Sequence, residues 1–364
     1  MKIEEYNLKQ LIHPLLDWFH AHARTLPWRD LPTPYRVWVS EIMLQQTRVE
    51  AVKPYFERFV TALPDIGSLA ECPEEKLLKL WEGLGYYNRV RNMQTAASQV
   101  VENWSGNLPE EYEELLKLKG IGHYTAGAIS SIAYGKKAAA VDGNVLRVLS
   151  RAAADERDIT KQSVRSNMEA ELLKIIPEGQ PGAFNQALME LGAVVCLPNG
   201  EPKCTECPWE QFCLAKKEDK ISWIPVKSKA KERRVEERTV LLIQDGEKIL
   251  LHRRPRKGLL AGMYEFPNLD GYLDERDALE HIKNMGLSPL RIEALEPSKH
   301  IFSHVEWHMK GYMVRVEALG EEESGLLFAE AADFKENYAM PSAFRAYVQY
   351  LNILQGKDAV QRDI

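Results

Sequence analysis

Apolar residues return every three or four positions through most of the first 215 residues. The spacing predicts helices in LIHPLLDWFHAHA, VSEIMLQQTRVEAVKPYFERFV, EEKLLKLWEGL, RVRNMQTAASQVVENW, EEYEELLKL, YTAGAISSIAYG, NVLRVLSRAAA and GAFNQALMELGAVVC. Gly, Pro, Asp and Asn punctuate the joins, and TALPDIGSLAECPEEKL holds a turn and a cap. This is the rhythm of a compact α region. After Cys213 it stops. WIPVKSKAKERRVEERTV is polar, and Lys227, Lys229, Lys231, Arg233 and Arg234 make it locally basic. It reads as a linker, either solvated or lying along a nucleic-acid backbone. Beyond it the period shortens towards two. RTVLLIQDGEKILLHRR predicts a hairpin turning at Asp245-Gly246, and MYEFPNL and HIFSHVEWHMKGYMVRVEAL add strand character. A final helix, SAFRAYVQYLNIL, completes a smaller α+β domain. The predicted division is 1–220, a linker at 221–236, and 237–364.

A chain of 364 residues has room for two or three domains. Its 45% hydrophobic and 27% charged content is that of an ordinary globular protein. No apolar run reaches the roughly 20 residues of a membrane span, and MKIEEYNLKQ lacks the pattern of a signal sequence. A cytoplasmic protein without a membrane partner is expected. The formal net charge of -6 argues against a uniformly basic nucleic-acid binder, but a local patch outweighs the sum.

Five cysteines are too few for a disulfide framework. Cys72 stands apart. The other four follow the spacing Cys196-x7-Cys204-x2-Cys207-x5-Cys213 and can close around one metal centre. Zinc and a [4Fe–4S] cluster both accept four cysteines. Zinc sites often use two Cys-x2-Cys hooks, and the single hook here favours the larger cluster. With all four cysteines bound, no iron stays open to substrate, so the expected role is structural or DNA-docking.

In LKGIGHYTAGAIS, Gly120 and Gly122 form a turn that opens a helix. Such a turn either offers free backbone N–H groups to a phosphate or serves only as a tight helix–helix join. Asp142 lies in AAAVDGNVLRVLS at the mouth of another helix, where an aspartate is either an N-cap or a carboxylate held by backbone donors. Glu41 sits among Val39, Ile42 and Leu44, company that raises a carboxyl pKa. A carboxylic acid beside a carboxylate is the chemistry that breaks glycosidic bonds. No Gly-rich turn follows a strand, which leaves dinucleotide chemistry without support.

LPWR, WVSEIMLQQTRV, WEGLGYYNRVRN, LKGIGHYTAGAI, AVDGNVLRV, the four cysteines and FSHVEW together resemble the helix–hairpin–helix superfamily of base-excision DNA glycosylases with an iron–sulfur loop. The resemblance covers almost the whole chain. It implies an all-α helix–hairpin–helix region with one [4Fe–4S] cluster on Cys196, Cys204, Cys207 and Cys213, followed by a Nudix-like α+β domain. It further implies a monomer acting on double-stranded DNA, hydrolysing the N-glycosidic bond of adenine mispaired with 8-oxoguanine or guanine. The amides around Gly120 and Gly122 would grip the DNA backbone. Asp142 would be the catalytic carboxylate and Glu41 the acid that protonates adenine. Relatives that cut the strand carry a lysine after the hairpin. Tyr124 stands there in this chain and has no amine for a Schiff base, which implies a monofunctional enzyme. Asn144 and Arg24 resemble supporting residues, Trp28 and Gln186 members of the adenine pocket, and Gln46, Thr47, Leu84 and Tyr86 the residues that enter the duplex around the lesion. Phe302, Ser303 and His304 would read 8-oxoguanine. Two departures stand out. The first cysteine loop is one residue longer than the family's usual six. The Nudix-type paired carboxylates are missing from ERDALEHIKNMGLSP, which implies recognition without hydrolysis. The rivals are a bifunctional glycosylase/lyase on oxidised pyrimidines and a non-catalytic DNA-binding protein.

Overall fold

The structure, a computed structural model, describes residues 1–228, 232–319, 326–330 and 337–351. Lys229 and Lys231 of the linker, and the end of the final helix after residue 351, lie outside the described residues. The chain divides into two units, Met1–Cys72 with Asn88–Lys229, and Pro73–Tyr87 with Ala230–Ile364.

The first unit is helical. In chain order it holds α1 (Ile12–His22), α2 (Pro27–Asp30), α3 (Pro34–Leu44), α4 (Val49–Ala62) and α5 (Ile66–Glu71). Helix α6 (Glu74–Leu80) falls in the second unit. Then follow α7 (Asn88–Trp104), α8 (Tyr112–Leu115), α9 (His123–Ala128), α10 (Gly143–Ala153), α11 (Gln162–Ile175), α12 (Pro181–Val194) and α13 (Leu214–Lys217). Proline at the first turn starts α2, α3 and α12, where its missing N–H costs nothing. Asp65 starts α5 by accepting from the Ser68 N–H at 2.7 Å. The core gathers Leu15 and Phe19 of α1, Leu146 and Leu149 of α10, Met168 and Leu172 of α11, and Phe184 and Leu188 of α12.

The stretch VSEIMLQQTRVEAVKPYFERFV, continuous in its apolar spacing, is broken. α3 ends at Leu44, α4 begins at Val49, and Gln46 between them takes a left-handed φ of 61°. The stop has a tertiary cause. Nη1 of Arg89, on α7, donates to the carbonyls of Ile42 (2.6 Å), Met43 (3.2 Å) and Gln45 (2.7 Å). These are helix-end acceptors that would otherwise lack a partner. EEYEELLKL forms only the single turn α8.

Among the described residues, the second unit carries a seven-stranded sheet of β1 (Arg234–Asp245), β2 (Lys248–Arg253), β3 (Tyr264–Glu265), β4 (Asn268–Asp270), β5 (Pro289–Ile301), β6 (Val305–Val316) and β7 (Leu326–Glu330), with α14 (Glu275–Asn284) between β4 and β5. The order is β3-β2-β1-β6-β5, with β4 on β1 and β7 on β2. β1 and β6 run parallel and the other pairs antiparallel. Asp245 pairs with Lys248, so the first hairpin turns at Gly246-Glu247, one residue later than the pattern suggests. Phe302, Ser303 and His304 are the three-residue connection from β5 to β6, and the strand character of their neighbours belongs to the two arms. Helix α14 buries Ala278 and Ile282 against Leu241, Tyr312 and Val314.

Candidate active site

Asp142 precedes α10, and its Oδ1 accepts the Val145 N–H at 2.8 Å. It is therefore the N-cap. It also lines a cavity of about 540 Å³ in the first unit, so the two readings of this aspartate coexist. Glu41, three residues from the end of α3, lines the same cavity at 5% exposure. Two carboxyl groups 101 positions apart in sequence thus share one chamber. Tyr124, on the first turn of α9, donates its hydroxyl proton to Oε2 of Glu41.

Electrostatics separates these groups. Burial pushes the Glu41 carboxyl up to about 7. The Tyr124 hydrogen bond and the Arg29 charge pull down, the Asp142 charge pushes up, and burial wins. Burial and the two carboxylates hold Tyr124 well above its usual value, so the phenol keeps its proton. Burial also raises Asp142 above the ordinary aspartate value, although the Val145 and Asn144 donors and Arg147 oppose it. The backbone donors therefore offset the cost of a buried charge only in part.

The other anticipated residues fall into four groups. Asn144 donates to Oδ2 of Asp142 at 2.9 Å, and its own oxygen accepts from Arg147 at 2.9 Å. A Cβ on Gly192 would come within 2.6 Å of the Asn144 Cβ, so the glycine makes room for that side chain. Arg24, Trp28, Gln46, Thr47 and Gln186 also line the cavity. Trp28 packs edge-on to Phe56, with ring centres 5.4 Å apart. The Gln186 oxygen accepts from Arg29 Nε at 2.9 Å, which turns its amide NH₂ away from that bond. Gly120 and Gly122 form the turn between α8 and α9. Gly120 has φ 79°, and a Cβ there would come within 2.8 Å of the Asn92 Cβ. A Cβ on Gly122 would meet nothing within 4 Å.

In the second unit, Leu84 is buried, whereas Tyr86 is exposed with a left-handed φ of 46°. The Tyr86 hydroxyl and the Ser303 Oγ share a hydrogen bond of 2.7 Å. Phe302 packs against His300 and Trp307 at ring-centre distances of 4.6 and 4.9 Å. It anchors the loop, while Ser303 and His304 are exposed.

Sequence reasoning missed Glu190, Arg29 and Arg147. Glu190 is 2% exposed and takes a two-pronged bond from Arg24 (2.6 and 3.0 Å) and one from Arg29 (2.9 Å). Burial pushes its carboxyl up, but the two guanidinium groups outweigh burial and hold it below the usual value. Its signal was the one that revealed Glu41, a lone acid in an apolar helix. Arg147 and Arg151, both buried on α10, bind the cysteine loop. Arg147 donates to the Cys196 carbonyl at 2.8 Å. Arg151 donates to the Leu197 carbonyl at 3.0 Å and approaches Cys196 Sγ at 3.3 Å.

Cys196, Cys204, Cys207 and Cys213 surround one small apolar cavity, and Cys72 is buried elsewhere. Burial, with smaller contributions from the neighbouring thiols, pushes Cys207 up to about 12 and raises Cys204 and Cys213. A bound cationic centre would oppose that shift by favouring the thiolates. No three His, Cys, Asp or Glu side chains among the described residues converge in a way that could hold a metal ion. No helix among them is long and apolar enough to cross a membrane.

A hairpin between short helices, a cavity with an acid and a carboxylate, and a four-cysteine loop define a base-excision glycosylase scaffold. Residues 39–175 match the HhH-GPD superfamily base excision DNA repair protein, and residues 239–350 match the NUDIX domain. Among solved structures, a thermostable thymine-DNA glycosylase is 27% identical with a TM-score of 0.52, covering 58% of this chain and 96% of that one. A non-covalent endonuclease III–DNA complex is 26% identical with a TM-score of 0.50, covering 58% and 98%. Curated relatives named adenine DNA glycosylase match more of the chain. The Mus musculus protein is 32% identical over 92% of this chain and 77% of its own length. That of Buchnera aphidicola subsp. Baizongia pistaciae (strain Bp) is 35% identical over 80% and 82%. The chain belongs to the adenine DNA glycosylase family.

Proposed function

We propose that this enzyme hydrolyses the N-glycosidic bond of adenine mispaired with 8-oxoguanine or guanine in duplex DNA. It works as a monomer, with residues 1–220 as the catalytic region and 237–364 as the reader of the opposite base. The observation that carries this reading is the shared cavity of Glu41 and Asp142, with Tyr124 bonded to the former. Adenine leaves the stack and enters the cavity. Glu41, with a pKa of about 7, still holds a proton near neutrality and gives it to N7, which improves the leaving group. As the bond opens, positive charge builds on C1′, and ionised Asp142 stabilises it. Water completes the hydrolysis. Tyr124 offers no amine, which supports a hydrolase over a lyase. In single-turnover assays on an 8-oxoguanine:A duplex, Asp142→Asn should release adenine at least a hundredfold more slowly while binding the duplex normally. A rate within about tenfold of wild type would remove Asp142 from the chemistry.

The four cysteines suit one [4Fe–4S] cluster. They encircle one cavity, and their single Cys-x2-Cys hook favours the larger cluster over zinc. When bound, the cluster supplies a rigid four-point anchor for the loop that Arg147 and Arg151 hold from α10. Purified protein should contain close to four irons per chain, as the cluster formula requires. Stoichiometric zinc in iron-replete expression would refute the assignment.

A further inference from the structure

Three arginines line the catalytic cavity: Arg24, Arg29 and Arg165. Two are committed. Arg24 holds Glu190 with Nε and Nη2. Arg29 divides its donors among Gln186, the Arg24 carbonyl and Glu190. Arg165, on the first turns of α11, is exposed. Its Nε donates to the Ile159 carbonyl at 2.9 Å, and Nη1 and Nη2 have no partner among the described residues. Glu169, one turn further along α11 and at ion-pair spacing, accepts from the Tyr112 hydroxyl at 3.2 Å instead. The single anchor thus fixes the guanidinium and leaves its outer edge open at the cavity.

The reaction requires something at that edge. Breaking the bond at C1′ places the target sugar beside Asp142. The two phosphates joined to that sugar then lie within one sugar's breadth of the cavity mouth. The cavity already holds the carboxyl groups of Glu41, Asp142 and Glu190, and the chain carries a net charge of -6, so a phosphate entering there meets acid unless a cation receives it. A planar guanidinium with two free amines matches the two non-bridging oxygens of a phosphodiester.

Building on the adenine-release reading, we propose that Arg165 binds a backbone phosphate of the nucleotide whose base occupies the cavity. It is a positioning residue that sets the sugar against Asp142 and does not itself touch the reacting atoms.

The test uses the full chain with its cluster and a duplex carrying 8-oxoguanine opposite an uncleavable 2′-fluoro adenine nucleotide. Binding is measured across salt concentrations for wild type, Arg165→Gln and Lys174→Gln. Lys174 pairs with Glu171 at the other end of α11 and serves as the control. Arg165→Gln should flatten the slope of log K against log salt by about 0.9 and weaken binding about tenfold or more at moderate salt. Lys174→Gln should change neither. A methylphosphonate placed on either side of the adenine should weaken wild-type binding at one of the two positions. At that position it should weaken Arg165→Gln no further. An unchanged slope in Arg165→Gln, or no wild-type loss at either methylphosphonate, overturns the proposal. The second measurement needs no variant and stands even where the substitution impairs folding. Failure of the wild type to release adenine from the cleavable duplex would sink the functional reading instead, and the two failures are told apart by that assay alone.

Discussion

Glu41 sits where its function and its stability pull in opposite directions. The unfolded chain releases this proton near pH 4.5, and the folded chain holds it to about 7. Between those values the native state binds a proton that the unfolded state has lost, so the buried acid stabilises the fold less and less as pH rises. Above 7 the full penalty applies, on the order of 2–4 kcal/mol for a shift of this size. Glu41→Gln keeps an oxygen for Tyr124 and carries no charge. It should therefore lose adenine release yet resist urea better than wild type at pH 8, with the advantage vanishing near pH 4. Equal stability at pH 8 would show that the carboxylate is not paying for its burial. The wild-type single-turnover rate should fall as pH rises through about 7 and also at low pH, where the raised Asp142 takes up a proton. A rate flat from pH 6 to 9 would take the acid role from Glu41. Tyr124 adds direction. It keeps its own proton and occupies Oε2, so the acid's proton belongs on Oε1.

The start of α10 and the end of α3 show what a sequence pattern can reveal about an element. Asp142 before GNVLRV marks a helix start, because the cap lies three residues from the N–H that it satisfies. The stop after Leu44 has no local mark. Apolar spacing runs on into α4, and the donor for the last carbonyls comes from Arg89, 45 residues beyond Leu44. The same distance hid Glu190, whose two arginines lie in the first 30 residues. Arg89→Met fills similar volume and removes the hydrogen bonds to these carbonyls. It should destabilise the protein by about 1.5–3 kcal/mol and speed hydrogen exchange at Gln46 and Thr47. A urea midpoint matching wild type would mean that water replaces the arginine at no cost. The Phe302–His304 stretch was legible as a motif, but the sequence left it open between strand and loop, since both its arms alternate as strands.

At the scale of the whole chain, the proposed function requires the mispair to be judged away from the chemistry, because adenine itself is undamaged. 8-Oxoguanine differs from guanine in an O8 acceptor and a protonated N7, and the Ser303 hydroxyl can both donate and accept. Replacing Ser303 and His304 together with alanine should narrow the preference for 8-oxoguanine:A over G:A by several-fold to about thirtyfold, with excision from G:A changing much less. Equal losses on both duplexes would reduce this loop to general DNA affinity. The change from helical to alternating period predicts a boundary within 221–236, but it could not show that Pro73–Tyr87 falls in the second unit. That segment supplies Glu75 to Arg253 at 3.2 Å, Lys79 to the Tyr338 carbonyl at 3.1 Å, Glu82 to the Met340 N–H at 2.8 Å, and Tyr86 to Ser303. The chain therefore crosses between its units three times, at 72–73, at 87–88 and at 229–230. A gene fragment starting at residue 237 would encode the sheet apart from the first three residues of β1, and would leave those four partners behind. Transplanted onto another glycosylase, it would carry the Phe302–His304 loop without the tyrosine that meets its serine, so recombination that respects only the linker would inherit an incomplete part.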